Sequence, residues 1–255
     1  MKNTVAVVIP VYKAQPNLTE LVSLKQCLSV LKDHPIVFFG PESMDITAYS
    51  ALCDGKVAFN FKSFENSYFE NITGYNKLML SVHFYSAFKN YRYILIHQLD
   101  AYVFKDELVY WCGQGYDFIG APHPAHQNAA GEMQFLKGYA RLISGVNRLF
   151  GTARVISNVG NGGFSLRNTT KCMWLLELLH SKALRWGTNN EDGFFKYWGN
   201  LFHPLFRLPS DNIALRFAIE QSPDESLKKL NGQLPFGCHA FEKYEPEVWQ
   251  GYIEF

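Results

Sequence analysis

The segment Val5-Ala-Val-Val-Ile-Pro-Val-Tyr12 is a continuous, largely β-branched apolar run. A strand with one wet face alternates apolar with polar residues. A run with no polar position must be covered on both faces, as strands of a parallel sheet are. Pro10 falls near its end, where a missing N–H is tolerated. A chain that opens this way needs helices above and below a sheet.

The following sequence supplies them. Leu18, Leu21, Val22, Leu28 and Leu31 recur at near-helical spacing and predict a helix from about Asn17 to Leu31. Pro35-Ile-Val-Phe-Phe-Gly40 reads as a second strand and Val57-Ala-Phe-Asn-Phe61 as a third. A helix over Ile72–Phe88 leads to a strand, Tyr93-Ile-Leu-Ile-His-Gln-Leu-Asp100, that ends on an acid. Lys105–Cys112 is predicted helical and Asp117–Pro122 extended. Thr169 or Thr170 is placed to cap a helix through Leu179, and Ser210 or Asp211 one over Ile213–Glu220. Strands alternating with helices predict an α/β fold with a mixed, mostly parallel central sheet and helices on both faces. No linker divides the chain, so residues 1–255 are read as a single domain. Residues 123–157 break the pattern and are read as a partly helical insertion that forms part of an acceptor site or a lid.

Hydrophobic residues at 47 % against 18 % charged allow a large core and argue against global disorder. A net charge of +1 gives no electrostatic case for nucleic acid. Cys27, Cys53, Cys112, Cys172 and Cys238 are odd in number, widely spaced and without a CxxC pair, so they read as reduced thiols of a cytoplasmic protein. The apolar start is too short for a signal core, and no stretch has the roughly 20 apolar residues that span a bilayer. Peripheral contact at the inner face of a membrane stays open.

Four places carry candidate chemistry, each with a plain structural alternative. Asp100 at a strand's carboxyl end is placed to hold a divalent cation against a diphosphate, or to cap a turn. Asn161-Gly-Gly-Phe-Ser-Leu-Arg167 lets a ligand approach the main chain, or is a plain turn. In Glu191-Asp-Gly-Phe-Phe195 the adjacent acids cannot point one way on a helix. One of them would face a cleft as a base while the other serves the local backbone, or both belong to the helix start. In Gly237-Cys-His-Ala-Phe241, His239 is a ligand for a Mn-like ion or a hydrogen-bonded turn residue, and Lys77 offsets phosphate charge or is a solvated lysine.

Order and company add to this. Ile96-His-Gln-Leu-Asp100-Ala-Tyr-Val-Phe104, Asp117-Phe-Ile-Gly-Ala-Pro122, Gly160-Asn-Gly-Gly-Phe-Ser-Leu-Arg167, Glu191-Asp-Gly-Phe-Phe195 and Pro235-Phe-Gly-Cys-His-Ala-Phe241 resemble, in sequence, the motif series of the DUF5672 family. That resemblance implies a GT-A-type glycosyltransferase, with a more distant likeness to fringe-like and β-1,4-galactosyltransferase-like families. It implies a nucleotide-diphospho-sugar donor, UDP-linked by preference. The acceptor it implies is a glycan or lipid-linked oligosaccharide of a cell-surface polysaccharide such as O-antigen. The cofactor would be Mn²⁺ or Mg²⁺.

By resemblance Asp100 takes the first place of an Asp-x-Asp metal motif, and Tyr102 stands where its last acid is expected, leaving Asp100 and His239 to share the ion. Pro10, Val11, Tyr12, Lys77, Gln98, Asp100, Tyr102, Gly162 and Gly163 are the implied donor-binding residues. Asp192 beside Glu191 is the implied catalytic base of an inverting transfer. Two other functions use similar elements: a sugar-1-phosphate nucleotidyltransferase, which normally has a glycine-rich loop after the first strand where this chain has Val11-Tyr-Lys-Ala14, and a non-catalytic glycan- or nucleotide-binding protein.

Overall fold

The computed structural model describes residues 3–53, 55, 57–123, 130–151, 154–186 and 190–254, and of residues 3 and 130–139 the backbone only. Positions 124–129 and 152–153 of the expected insertion lie outside the described residues.

The opening apolar run forms β1 (Asn3–Pro10), followed by helix α1 (Leu18–Val30). Asn17 and Glu20 close a capping box at its start: Glu20 N–H donates to Asn17 Oδ1, and Asn17 N–H to Glu20 Oε2, both at 2.8 Å. Then come β2 (Ile36–Pro41), α2 (Thr47–Cys53) and β3 (Phe59–Phe64). The helix predicted over Ile72–Phe88 is two, α3 (Ile72–Met79) and α4 (Val82–Ala87). Ser81 divides them. Its hydroxyl donates to the Leu78 carbonyl at 2.7 Å and accepts from Phe84 N–H at 3.1 Å, ending one helix and starting the next.

The chain continues through β4 (Tyr91–His97), β5 (Ala101–Val103), α5 (Leu108–Gly113) and β6 (Phe118–Ile119). β4 stops at His97, so Asp100 sits in the turn beyond the strand rather than on it. The insertion is built on a long helix, α6 (Ala130–Phe150). After it come β7 (Phe164–Asn168), α7 (Thr169–Leu178), α8 (His180–Trp186) and α9 (Glu191–Leu201). Asn168, not a threonine, caps α7, accepting Lys171 N–H on Oδ1 at 3.2 Å. The last elements are α10 (Asp211–Phe217), β8 (Ala218–Ile219), α11 (Pro223–Lys229), β9 (Gly237–His239) and α12 (Pro246–Trp249). The helix expected to reach Glu220 therefore ends at Phe217, and β8 takes over. Ser210 stands at the start of α10 without a side-chain cap bond, and Asp211 instead accepts both N–H groups of Asn158, at 2.7 and 2.8 Å.

Six strands make the main sheet in the order β3-β2-β1-β4-β7-β6, with β1 to β4 parallel and β7 antiparallel to both neighbours. The both-faces burial required by the first strand is met. Val5, Val7 and Ile9 pack under α1, α2 and α5, while Ala6 and Val8 pack against α3, α4 and α7. A second sheet, β5-β9-β8, carries a smaller core with Tyr102, Phe241 and Trp249. All five cysteines are free and buried. Among the described residues no helix is long and apolar enough to cross a membrane.

Candidate active site

Beyond the carboxyl ends of β1 and β4 lies a pocket of about 500 Å³. Open α/β sheets place ligands there because the strands diverge around a crevice. Pro10, Tyr12 and Glu20 line one side, Phe69, Asn71 and Tyr75 another, and Gln98, Leu99 and Asp100 the floor. Its rings offer flat apolar faces. Its charges are Glu20, Glu70 and Asp100, with no Lys or Arg among the described lining residues. Glu20 is paired with Lys13 at 2.7 Å and Asp100 with His239 at 3.1 Å, so a diphosphate entering the pocket meets acids already partly balanced by their own partners.

The small sheet sets the neighbours of His239. β5 runs antiparallel to β9 with Ala101 opposite His239, and β8 runs parallel to it with Ile219 opposite Cys238. The residues just outside these pairs, Asp100 and Glu220, therefore flank the imidazole. His239 Nε2 lies 3.1 Å from Asp100 Oδ1 and 3.2 Å from Gln98 Oε1; Nδ1 lies 3.0 Å from Glu220 Oε1 and 2.7 Å from Asn161 Nδ2. Gln98 Nε2 donates to the Tyr75 hydroxyl at 3.2 Å, which turns its amide oxygen toward His239.

Burial alone would lower the His239 pKa, but the Asp100 and Glu220 carboxylates outweigh it and hold the ring up at about 10. The same ion pairs act on the acids. Burial would raise both, yet His239 brings Asp100 below its ordinary value, and His123 with His239 holds Glu220 well below the usual carboxylate range.

Two contacts fasten Asp192. Its Oδ2 accepts Asn161 N–H at 2.5 Å and its Oδ1 accepts Gly193 N–H at 2.9 Å. It lies in the first turn of α9, where the helix dipole favours a negative charge. His123 Nε2 stands 3.9 Å from Asp192 Oδ2 and 3.5 Å from Glu220 Oε2, and it is the more exposed partner of both contacts. Asn161 thus links the two acid sites, binding Asp192 through its backbone and reaching His239 with its side chain. It does so at φ 81°, a left-handed conformation that Asn tolerates better than most residues.

The glycines after Asn161 are required by close approach. A Cβ on Gly163 would lie 2.0 Å from His239 Nε2 and 2.6 Å from Gln98 Oε1, and one on Gly162 would lie 2.0 Å from Glu191 Oε1. A side chain on Gly163 would push into His239 and Gln98, and one on Gly162 into the buried Glu191 carboxylate.

A family model described as "Protein of unknown function (DUF5672)" matches residues 58–239, which include Asp100, Asn161, Asp192 and His239. The chain belongs to the DUF5672 family. No curated protein matches it. Among solved structures it is similar to mouse xyloside xylosyltransferase 1 in its apo form, with TM-score 0.57 and 16 % identity over 91 % of this chain and 96 % of that one. It is similar also to the apo glycosyltransferase GlyE of Streptococcus pneumoniae TIGR4, with TM-score 0.55 and 13 % identity over 98 % of this chain and 60 % of that one. A third is the apo bifunctional glycosyltransferase WbbM, with TM-score 0.51 and 13 % identity over 96 % of this chain and 47 % of that one. The DUF5672 chain thus spans only part of the last two proteins. What the three share with it is the fold, the α/β GT-A type with a mostly parallel central sheet.

In this DUF5672 chain Asp100, His239, Gly162, Gly163, Gln98 and Asp192 come together, and Pro10 and Tyr12 line the adjoining pocket. Four expected residues take other places. Lys77 is exposed on α3 and does not line the pocket. Tyr102 is buried in the small core with ring centroids 5.2 Å from Phe104 and 6.0 Å from Phe241, because β5 turns it away from Asp100. The Val11 side chain is fully buried in the main core, leaving only its backbone near the site.

Glu191 pairs with Arg167 at 2.7 Å, and both are buried. Burial pushes the Glu191 carboxyl up and the guanidinium opposes it. Arg167 Nη1 and Nη2 also donate to the Tyr85 hydroxyl and the Gly162 carbonyl, so Glu191 supports the glycine turn and is not placed to meet a substrate.

The residues not anticipated are Glu220, Asn161, His123 and Tyr75. Asn161 stood inside a recognised motif. Glu220 was hidden by its assignment to a helix; only the pairing of β8 with β9 brings it to His239.

Proposed function

We propose that this DUF5672 chain is a glycosyltransferase. It would move a sugar from a nucleotide diphosphate sugar, UDP-linked by preference, to a hydroxyl of a glycan or lipid-linked oligosaccharide, with inversion and with the help of Mn²⁺ or Mg²⁺. The observation that carries the reading is the convergence of Asp100, His239 and, through Asn161, Asp192 beside a ring-lined pocket at the strand ends.

The donor set suits a hard or borderline cation. No group of three or more His, Cys, Asp and Glu side chains forms a metal-holding set among the described residues. Asp100 and His239 form a pair, a carboxylate oxygen and an imidazole nitrogen 3.1 Å apart. With His239 held up at about 10, Nε2 carries the proton of that ion pair, which a bound cation would displace. Glu220 behind Nδ1 supplies the outer carboxylate that orients a metal-binding histidine. Diphosphate oxygens and water would complete the shell. The cation, when bound, supplies Lewis-acid stabilisation of charge on the leaving diphosphate.

The chain's own residues do the rest. Tyr12, Phe69 and Tyr75 give the nucleoside apolar faces, and Gln98 with the Gly162-Gly163 turn borders the sugar. Asp192 accepts the proton of the acceptor hydroxyl as its oxygen bonds to the anomeric carbon. The bond to the diphosphate breaks on the opposite side, its electron pair leaving with the nucleotide. His123, partly exposed beside Asp192, marks the acceptor's approach.

One observation favours a binding-only protein: Asp192 is buried, and both its oxygens already accept N–H groups. UDP release from a panel of UDP-sugars with Mn²⁺ and soluble glycans separates the readings. The transferase reading expects Asp192→Asn to lower release by about 10²–10⁴-fold while UDP affinity is unchanged. Wild-type turnover in that variant removes Asp192 as base. UDP binding without release from any pair favours the binding protein, and pyrophosphate-dependent UTP formation the nucleotidyltransferase.

A further inference from the structure

Helix α6 carries an apolar stripe that the described residues leave uncovered. Ile143 is its one buried residue over 140–150. Leu142, Val146 and Leu149 fall within about 60° of one another around the axis at 100° per residue, and they are 61, 38 and 77 % exposed. Phe150 and Val155, 70 and 73 % exposed, extend the patch. A helix packed on a soluble body turns polar residues outward; over residues 140–150 this one turns outward every apolar side chain except Ile143.

Charge sets the patch apart as well. Arg141 and Arg148 are exposed along one flank of the stripe. Over residues 140–150 these two are the only charged side chains. The helix also belongs to the acceptor side. Its segment leaves the body at His123, whose N–H donates to Asn158 O at 3.0 Å, and returns into the Asn161 turn that holds Asp192.

We propose that this face of α6 docks on an anionic phospholipid bilayer. Leu142, Val146, Leu149 and Phe150 enter the boundary below the headgroups, and Arg141 and Arg148 meet lipid phosphates. A second copy of the chain is the poorer occupant, because a two-fold contact through this stripe would oppose arginine to arginine. Docking brings a lipid-linked acceptor to the His123 side of Asp192; that consequence rests on the transferase reading, whereas the docking does not.

Co-sedimentation of the full chain with vesicles tests it. The wild type is expected to pellet with phosphatidylcholine–phosphatidylglycerol vesicles and far less with phosphatidylcholine alone, the difference shrinking in salt. Leu142→Glu with Leu149→Glu should lower the partition by at least about tenfold, and Arg141→Ala or Arg148→Ala by about fivefold each. Because these positions are exposed, thermal melts should stay as in the wild type. Equal partition onto both vesicle types, no pelleting, or a concentration-dependent dimer that Leu149→Glu abolishes would each overturn the proposal. Vesicle binding is read without any sugar donor, so its failure and the failure of the transferase reading are separate results.

Discussion

The half of the molecule built from β1 to β4 and the wall built from residues 157–239 bury different things. Among the described residues, 3–104 bury four polar side chains, while 157–200 alone bury nine, including Arg167, Glu191 and Asp192. Two histidines express the contrast. His97, at the end of β4, is buried against Phe164 with no hydrogen-bond partner for either ring nitrogen among the described residues, and burial holds it down at about 4. His239 is flanked by two carboxylates and held up at about 10. The first region is stable through apolar contact; the second holds charges in place at some cost, as functional sites do.

The largest expected effect tests that cost directly. Arg167→Met leaves Glu191 buried and unpaired and should lower unfolding free energy by about 3–5 kcal/mol in denaturant titration. Leu95→Ala in β4, opposite Leu166, should cost about 2–5 kcal/mol with little dependence on pH. If Arg167→Met melts like the wild type, the wall does not depend on its buried charges.

The next effect is a pH dependence. The folded pKa of His239 is raised, so its contribution is fully present below about 6.5 and is lost as pH rises through about 10. Without metal, the wild type should therefore lose stability on the order of 2–4 kcal/mol across that window, and His239→Gln should lose much less of it. Parallel profiles would contradict the ion-paired imidazole.

Gly163→Ala comes third. Its methyl must displace His239 or Gln98, so Mn²⁺ affinity, read by electron paramagnetic resonance, should fall by about 10–100-fold while the main core is unaffected. The smallest effect lies in the apolar half. His97→Phe removes two unpaired ring nitrogens and should stabilise by about 1 kcal/mol. It should also remove the loss of stability that the depressed pKa of His97 causes as pH falls from 6.5 to about 4.

The same contrast decides what could be read from the chain. The apolar half was legible because its signal is local: the run at Val5–Tyr12 fixes a strand covered on both faces, and the spacing of Leu18 to Leu31 fixes its helix. Where local signals compete, reading failed. Ser81 looks like any helix serine until its hydroxyl is seen to end one helix and start another. Motif order singled out Asp100, His239 and the glycine turn, which the structure brings together. Glu220 was out of reach, since its role depends on a two-residue strand pairing with a partner 19 positions on. Tyr102, in the last place of the Asp-x-Asp motif, was expected beside the donor, but the turn between β4 and β5 sends that ring into the small core.

A crystal structure of the full chain with UDP and Mn²⁺ tests the central claim most directly. The account predicts the ion against Asp100 Oδ1 and His239 Nε2, the diphosphate on its open side and the uracil among Tyr12, Phe69 and Tyr75. A diphosphate bound elsewhere, or an ion that touches neither Asp100 nor His239, would contradict it.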